Sequence, residues 1–217
     1  MTLAQGNAWA SGPTADRVVP PPEREERSSS SGRYLLQLRL RANANAHAPR
    51  ATATLFERDA SGRHALWTRD LPHRPRPRFF AVGDGGQVVL IDEWLNVRSE
   101  LAVMVIDRKN MMLAQFDLEA VRAVLDVPIA SLAPRARHGL WIQAPPQFNA
   151  RGDAVEIAAA DRVLSIRLSD GGLVGALNKG WRWPSPLRAA LGRVEGHARF
   201  ASGTTACRAG NACKPLN

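Results

Sequence analysis

From Tyr34 onward, apolar and polar residues alternate with a period of two. In Tyr34–Arg41, Leu36, Leu38 and Leu40 share one side, and Gln37, Arg39 and Arg41 share the other. This is the pattern of a half-buried strand. Thr52, Thr54 and Phe56 alternate with Ala53 and Leu55. Asp59-Ala60-Ser61-Gly62 then supplies turn residues, and His64–Thr68 reads as the return strand of a hairpin. Phe79–Val82 leads through Asp84-Gly85-Gly86 into Val88-Val89-Leu90-Ile91. Four apolar residues in a row between turn signals predict a strand buried on both faces. Leu101–Ile106 is a second such run, turned back by Asp107-Arg108-Lys109-Asn110 into Met111–Phe116.

The period then changes. Leu118, Val121, Val124 and Leu125 recur at helical spacing, with Asp117 placed to cap the N-terminus and Pro128 just beyond the end. One short helix is expected over 117–125. Strands resume at Gly139–Gln143. Asn149-Ala150-Arg151-Gly152 is a turn, and Val155–Ala158 with Val163–Leu168 makes a third hairpin, closed by Ser169-Asp170-Gly171-Gly172. After Leu177 the pattern dissolves, although Ser185-Pro186 is a fitting start for a short helix carrying Leu187, Leu191 and Val194. Before Tyr34 there is no strand or helix period. A polyproline run at Pro20–Pro22, a charged stretch and four serines predict disorder over 1–33. The expected organisation is a disordered arm (1–33), a β-rich core (34–177) and a basic tail (178–217).

The three hairpins turn near residues 61, 109 and 161, intervals of 48 and 52. Each is preceded by one or two shorter strands. About four strands per ~40–50 residues is the arithmetic of a β-propeller blade. Three blades are fewer than the ~4–8 of closed propellers. The fold class is therefore mainly β: antiparallel meander sheets arranged as blade-like repeats, in an open partial propeller, a sandwich or barrel made from the same meanders, or one part of a homo-oligomer.

Composition narrows the classes. The chain has 217 residues, 45% hydrophobic and 23% charged. These values exclude collagen, a wholly disordered chain and a disulfide-dense mini-protein. No run approaches the ~20 apolar residues of a membrane-spanning helix. Net charge is +9, and the last 40 residues hold seven basic residues against Glu195 alone. Such a tail suits phosphate backbones or anionic surfaces, or is simply solvated. Cys207 and Cys213 lie in that tail. Their spacing permits a disulfide in an oxidising compartment, and they lack the further ligands a zinc site needs. The polar, Ala-, Gly- and Pro-rich start shows no secretory signal. That implies the cytoplasm by default, or export if the start codon is misplaced.

Five residues stand out as ligand-binding candidates: Asp92, Trp94, Arg137, His138 and Trp141. Asp92-Glu93-Trp94 combines two carboxylates with an aromatic, suited to gripping a cation or a sugar or to acid–base work. Adjacent strand residues point to opposite faces, so the two carboxylates are not expected to converge. The plainer alternative makes Asp92 a loop cap and Trp94 a packing residue. His138 lies among Arg135, Arg137 and Trp141. It reads as a base tuned by guanidiniums or as a loop histidine, and Arg135 with Arg137 as a grip for an acidic ligand. Arg151-Gly152-Asp153 is turn chemistry. His73–Arg78, with prolines between arginines, reads as an extended connection between blades or as a phosphate- or SH3-facing strip. Trp181-Arg182-Trp183 reads as a nucleic-acid or membrane-surface contact, or as the tail's dock onto the core. No nucleotide, lipase or zinc motif is present, so no catalytic residue, metal or cofactor is assigned.

Asp84–Val121 resembles a class of uncharacterised bacterial propeller-like proteins. In these, an acidic-glycine turn and a D-x-W unit lead into an apolar hairpin and helix. Asp84, Gly85, Asp92, Trp94, Asp107, Phe116 and Leu118 carry the likeness, and Gly139-Leu140-Trp141 with Phe148–Gly152 resembles the next blade. The likeness spans about 79–175, and it departs at Leu95, where the class has glycine. The class implies propeller-like sheets and no agreed activity, and its members look exported. The resulting expectation is a non-catalytic ligand- or protein-binding β-repeat module. The alternatives are a hydrolase-type enzyme on such a scaffold, and nucleic-acid or anionic-surface binding through the tail.

Overall fold

Among the described residues, twelve strands form three four-stranded antiparallel sheets, each a meander of consecutive strands. The computed structural model describes residues 20–41, 50–95 and 98–178, all within one compact unit that runs to Asn178. Sheet 1 contains β1 (Arg24–Ser28), β2 (Tyr34–Arg41), β3 (Arg50–Asp59) and β4 (Gly62–Asp70). Sheet 2 contains β5 (Pro77–Val82), β6 (Val88–Glu93), β7 (Val103–Ile106) and β8 (Met112–Phe116). Two short helices follow, α1 (Leu118–Leu125) and α2 (Ile129–Leu132), with a 3-10 turn at Ala133–Arg135. Sheet 3 contains β9 (Gln147–Phe148), β10 (Ala154–Ala159), β11 (Arg162–Arg167) and β12 (Leu173–Leu177). The mainly β, antiparallel meander architecture agrees with the alternation in the sequence, and the sheets close into no barrel.

Sheet 2 is the middle layer, and its sequence explains why. On β6, Val88 and Leu90 join a cluster with Tyr34, Leu36, Leu38, Ala53 and Leu55 of sheet 1. Val89 and Ile91 join another cluster with Val155, Ile157, Leu164 and Ile166 of sheet 3. β7 divides the same way: Met104 and Ile106 face sheet 1, and Val103 and Val105 face sheet 3. A strand with a layer on each side must be apolar at every position. Each such side chain contributes roughly 1.5–3 kcal/mol by leaving water.

α1 has the expected cap. The Asp117 carboxylate accepts the Ala120 N–H at 2.7 Å, and Leu118, Val121 and Leu125 are buried between sheets 2 and 3. The helix lies against β12, where Gly175 makes room. A Cβ at Gly175 would collide with the Val124 carbonyl oxygen.

Four features differ from the sequence reading. β1 lies inside the stretch expected to be disordered and pairs with β2 from Arg24↔Arg39 to Ser28↔Leu35. Its sequence, REERS, has no apolar face because it is a mostly exposed edge held by backbone bonds and ion pairs. There are two short helices rather than one, since the four residues of α2 are too few to show a period. Gly139–Gln143 is a loop closed by one bridge, His138↔Ile142, and the first strand of sheet 3 is the two-residue β9. The third hairpin is the middle pair of its sheet, β10–β11, whereas the first two are the final pairs, β3–β4 and β7–β8. The interval near fifty therefore links hairpins that are not equivalent, and β12 completes the sheet unannounced. Cys207, Cys213, Trp181, Trp183 and the helix expected after Ser185 lie outside the described residues.

Candidate functional site

β6 ends in Asp92 and Glu93, and the two neighbours part company there. Asp92 adopts a left-handed backbone, φ +55°, which is costly for a non-glycine residue. Its N–H bonds the Ala102 carbonyl at 3.0 Å, and its Oδ1 accepts the Glu93 N–H at 3.0 Å. Its Oδ2 lies 4.0 Å from Arg78 Nε. The loop after the 3-10 turn presses on the same place. Gly139 has φ +77°, and a Cβ there would stand 2.6 Å from Asp92 Oδ2 and 3.1 Å from Arg78 Nε. That close approach and that φ both require glycine.

Around this pair stand most of the residues singled out from sequence. Trp141 is fully buried and favours the ionised Asp92 carboxyl, though its indole N–H forms no hydrogen bond of full geometry. His138 meets Phe79 edge-on, centroids 5.4 Å apart. The Arg78 guanidinium lies 5.9 Å from the Trp94 ring centroid and donates to the Trp94 carbonyl. Asp92, Trp94, His138 and Trp141 thus share one neighbourhood, with Arg78 at its centre. Arg137 does not join them through its side chain. It is exposed, and its backbone N–H bonds the Ile142 carbonyl.

Electrostatics mark this cluster as buried and tightly balanced. Burial pushes the Asp92 carboxyl up to about 7, against the opposing pull of the Glu93 N–H, Arg78 and Trp141. Burial lowers the pKa of Arg78, and Asp92 acts against that shift. His138 is lowered by burial and then by the Arg78 charge. Asp92 is only 4% exposed, so this cluster is built to be enclosed.

The strip His73–Arg78 is not a solvated connection. Arg76 is 1% exposed. Its guanidinium pairs with Glu25 at 2.6 Å and donates to the Pro22 carbonyl at 3.2 Å. It also lies 5.6 Å from the centroids of both Phe80 and Trp94. His73 is fully buried with neither ring nitrogen hydrogen-bonded, and burial lowers its pKa to about 4. The turn sequence Arg151-Gly152-Asp153 is turn chemistry as expected, with Gly152 at φ +70° and Arg151 paired to Asp153 at 3.1 Å.

Glu93 faces the other way, into a cleft of about 580 Å³. Its Oε1 accepts the Arg74 N–H at 3.3 Å. Arg50 from the start of β3, Arg74 from the strip, and Arg98 from the β6–β7 loop line this cleft, together with Glu100 and Gln115. Among the described residues, none of the three guanidiniums forms an ion pair, whereas Arg24, Arg27, Arg41 and Arg63 of sheet 1 do. Sequence reasoning missed Arg50 and Arg98 and placed Arg74 only within the His73–Arg78 strip, read as an inter-blade connection or a phosphate- or SH3-facing stretch. Neither spacing nor motif joins them, and only the packing of sheet 1 beside sheet 2 brings them to one opening.

Among the described residues, no three His, Cys, Asp or Glu side chains gather as a metal site would need, and no helix is long and apolar enough to cross a membrane. No protein-family model matches the chain, and no curated protein is significantly similar to it.

Proposed function

We propose that this protein is a non-catalytic binding module of partial-propeller type, which takes its ligand at the loop end of sheets 1 and 2. The observation that carries the reading is the Arg50–Arg74–Arg98 cleft, where three exposed guanidiniums outnumber the carboxylates of Glu93 and Glu100 and, among the described residues, form no ion pair. Exposed like charges repel and gain nothing from remaining together. A bound anion gives them charge-assisted, bidentate partners. The blade reading draws support from three consecutive four-stranded meanders stacked in chain order.

The same geometry favours binding over hydrolysis. An acid–base pair needs two groups that share a substrate. Here Asp92 is enclosed against Gly139 and Arg78, while Glu93 lies in the cleft beside Arg74. The test is a defined mixture of common metabolites added to the isotope-labelled full chain. Amide shifts at 98–101 and Arg74, with every metabolite recovered unchanged, are the expected result. Conversion of a metabolite overturns the non-catalytic reading. Shifts confined to another surface overturn the location, and no shift anywhere overturns both.

A further inference from the structure

The lining of the cleft narrows its ligand, and this step rests on the binding reading above. We infer that it takes an anionic polyhydroxy compound of monosaccharide size, a sugar phosphate or a sugar acid. The anionic end is the demand of Arg50, Arg74 and Arg98. Three guanidiniums would suit any anion, but the same opening carries two carboxylates. Glu93 is 9% exposed, and among the described residues its carboxylate has one hydrogen bond, from the Arg74 N–H at 3.3 Å. Among the described residues this carboxylate forms no ion pair, so it keeps acceptor sites that a ligand's donors can meet. Glu100 and Gln115 line the same cleft. A bare anion would meet these acceptors with repulsion. A ligand with hydroxyl groups beside its charge gives donors to the carboxylates and oxygens to the guanidiniums. Pro72 and Leu101 supply a small apolar surface for ring carbons. A volume of about 580 Å³ lies within the usual range of small-molecule sites.

Glucose 6-phosphate, glucuronate, glucose and inorganic phosphate, each titrated against the full chain by calorimetry and amide shifts, test this directly. At least one of the two sugar acids is expected to bind about tenfold or more tighter than both glucose and inorganic phosphate. Which acid wins separates a phosphate-bearing ligand from a carboxylate-bearing one. Arg98→Gln is expected to weaken that binding about tenfold, with the remaining amide spectrum unchanged as the check on folding. Glu93→Gln is expected to weaken the sugar acid while leaving inorganic phosphate where it was. Equal binding of phosphate and sugar acid would mean a plain anion site and overturn the inference. So would insensitivity to Arg98→Gln, or no binding by either acid. If both acids fail while other metabolites shift residues 98–101, the ligand class falls and the binding module stands.

Discussion

Replacing Asp92 by Asn tests whether the cluster under Gly139 is a neutral or an ionised one. The folded-state pKa of Asp92 is about 7 against an ordinary 3.8, raised chiefly by burial. A carboxyl whose folded pKa is raised contributes stability that is full below pH 3.8 and is lost as the pH rises through 7. By linkage, a displacement of this size corresponds to about 4 kcal/mol. His73 runs the opposite way. Its folded pKa is about 4 against 6.5, so stability falls as pH drops from 6.5 to 4, by about 3 kcal/mol. Between about pH 5 and 6.5 the two slopes nearly cancel, and below that Glu26 and Asp170, both held near 2 by their arginine partners, add their own loss as they protonate. The substituted amide cannot ionise, so the variant shows the remaining limbs without that of Asp92. Urea titrations of both proteins from pH 4 to 8 give the difference in unfolding free energy, in which His73 and every other shared group drops out. That difference should move in favour of Asp92→Asn by about 4 kcal/mol from pH 4 to 8. A difference independent of pH would refute the reasoning. A difference that grew in favour of Asp92 would mean that the Arg78 pairing at 4.0 Å outweighs burial.

Three further substitutions probe other joints. Gly139→Ala places a methyl 2.6 Å from Asp92 Oδ2 at φ +77° and should cost about 2–3 kcal/mol in chemical denaturation. A cost under about 0.5 kcal/mol would show that the loop does not rest on Asp92. Gly175→Ala drives a methyl into the Val124 carbonyl, backbone that cannot step aside. Loss of about 1–3 kcal/mol is expected, with thermal melting by circular dichroism as the readout. Arg76→Met removes the buried partner of Glu25 and the cation between Phe80 and Trp94. About 2–4 kcal/mol should be lost, with amide-exchange protection of β1 falling first because Glu25 and Pro22 are its anchors.

What the sequence revealed depended on whether burial left a period. β6 was legible as a strand covered on both sides because two layers demand apolar residues at every position, and VVLI meets that demand. α1 was legible because its buried face and its Asp117 cap are local signals. β1 left no such trace. Its contribution is backbone pairing plus charges whose partners, Arg63 and Arg76, lie some forty to fifty residues away. The buried arginines of the His73–Arg78 strip were opaque for the same reason. A basic, proline-rich stretch looks solvated until Glu25, Trp94 and Asp92 are folded against it. Four of the five candidate residues are neighbours in the fold, because Asp92 and Trp94 at the end of β6 and His138 and Trp141 in the loop before β9 meet around Arg78. That common centre, Arg78, gave no signal of its own. Arg137 stands apart because flanking His138 in sequence places its side chain on the open side of the loop.

On the proposed reading, the parting of Asp92 and Glu93 divides structure from recognition. Regular alternation alone would send the two carboxylates to opposite faces, and the left-handed turn at Asp92 fixes where each one goes. Asp92 is taken up by groups that belong to the protein itself: a guanidinium, a backbone N–H and an indole. Those contacts hold the 138–141 loop against sheet 2. Glu93 has one backbone donor and then the cleft. The contrast between the arginines is equally direct. Arg76 and Arg78 are enclosed and engaged by carboxylate, carbonyl and aromatic groups, whereas Arg50, Arg74 and Arg98 stand exposed around a concave opening. Enclosed charges that fully occupy one another position a loop, and charges left open beside hydrogen-bond acceptors are those that a ligand can use. On the binding reading proposed above, the cluster most visible in the sequence is the support of the site, and the cleft one residue further along the chain is where recognition is to be sought.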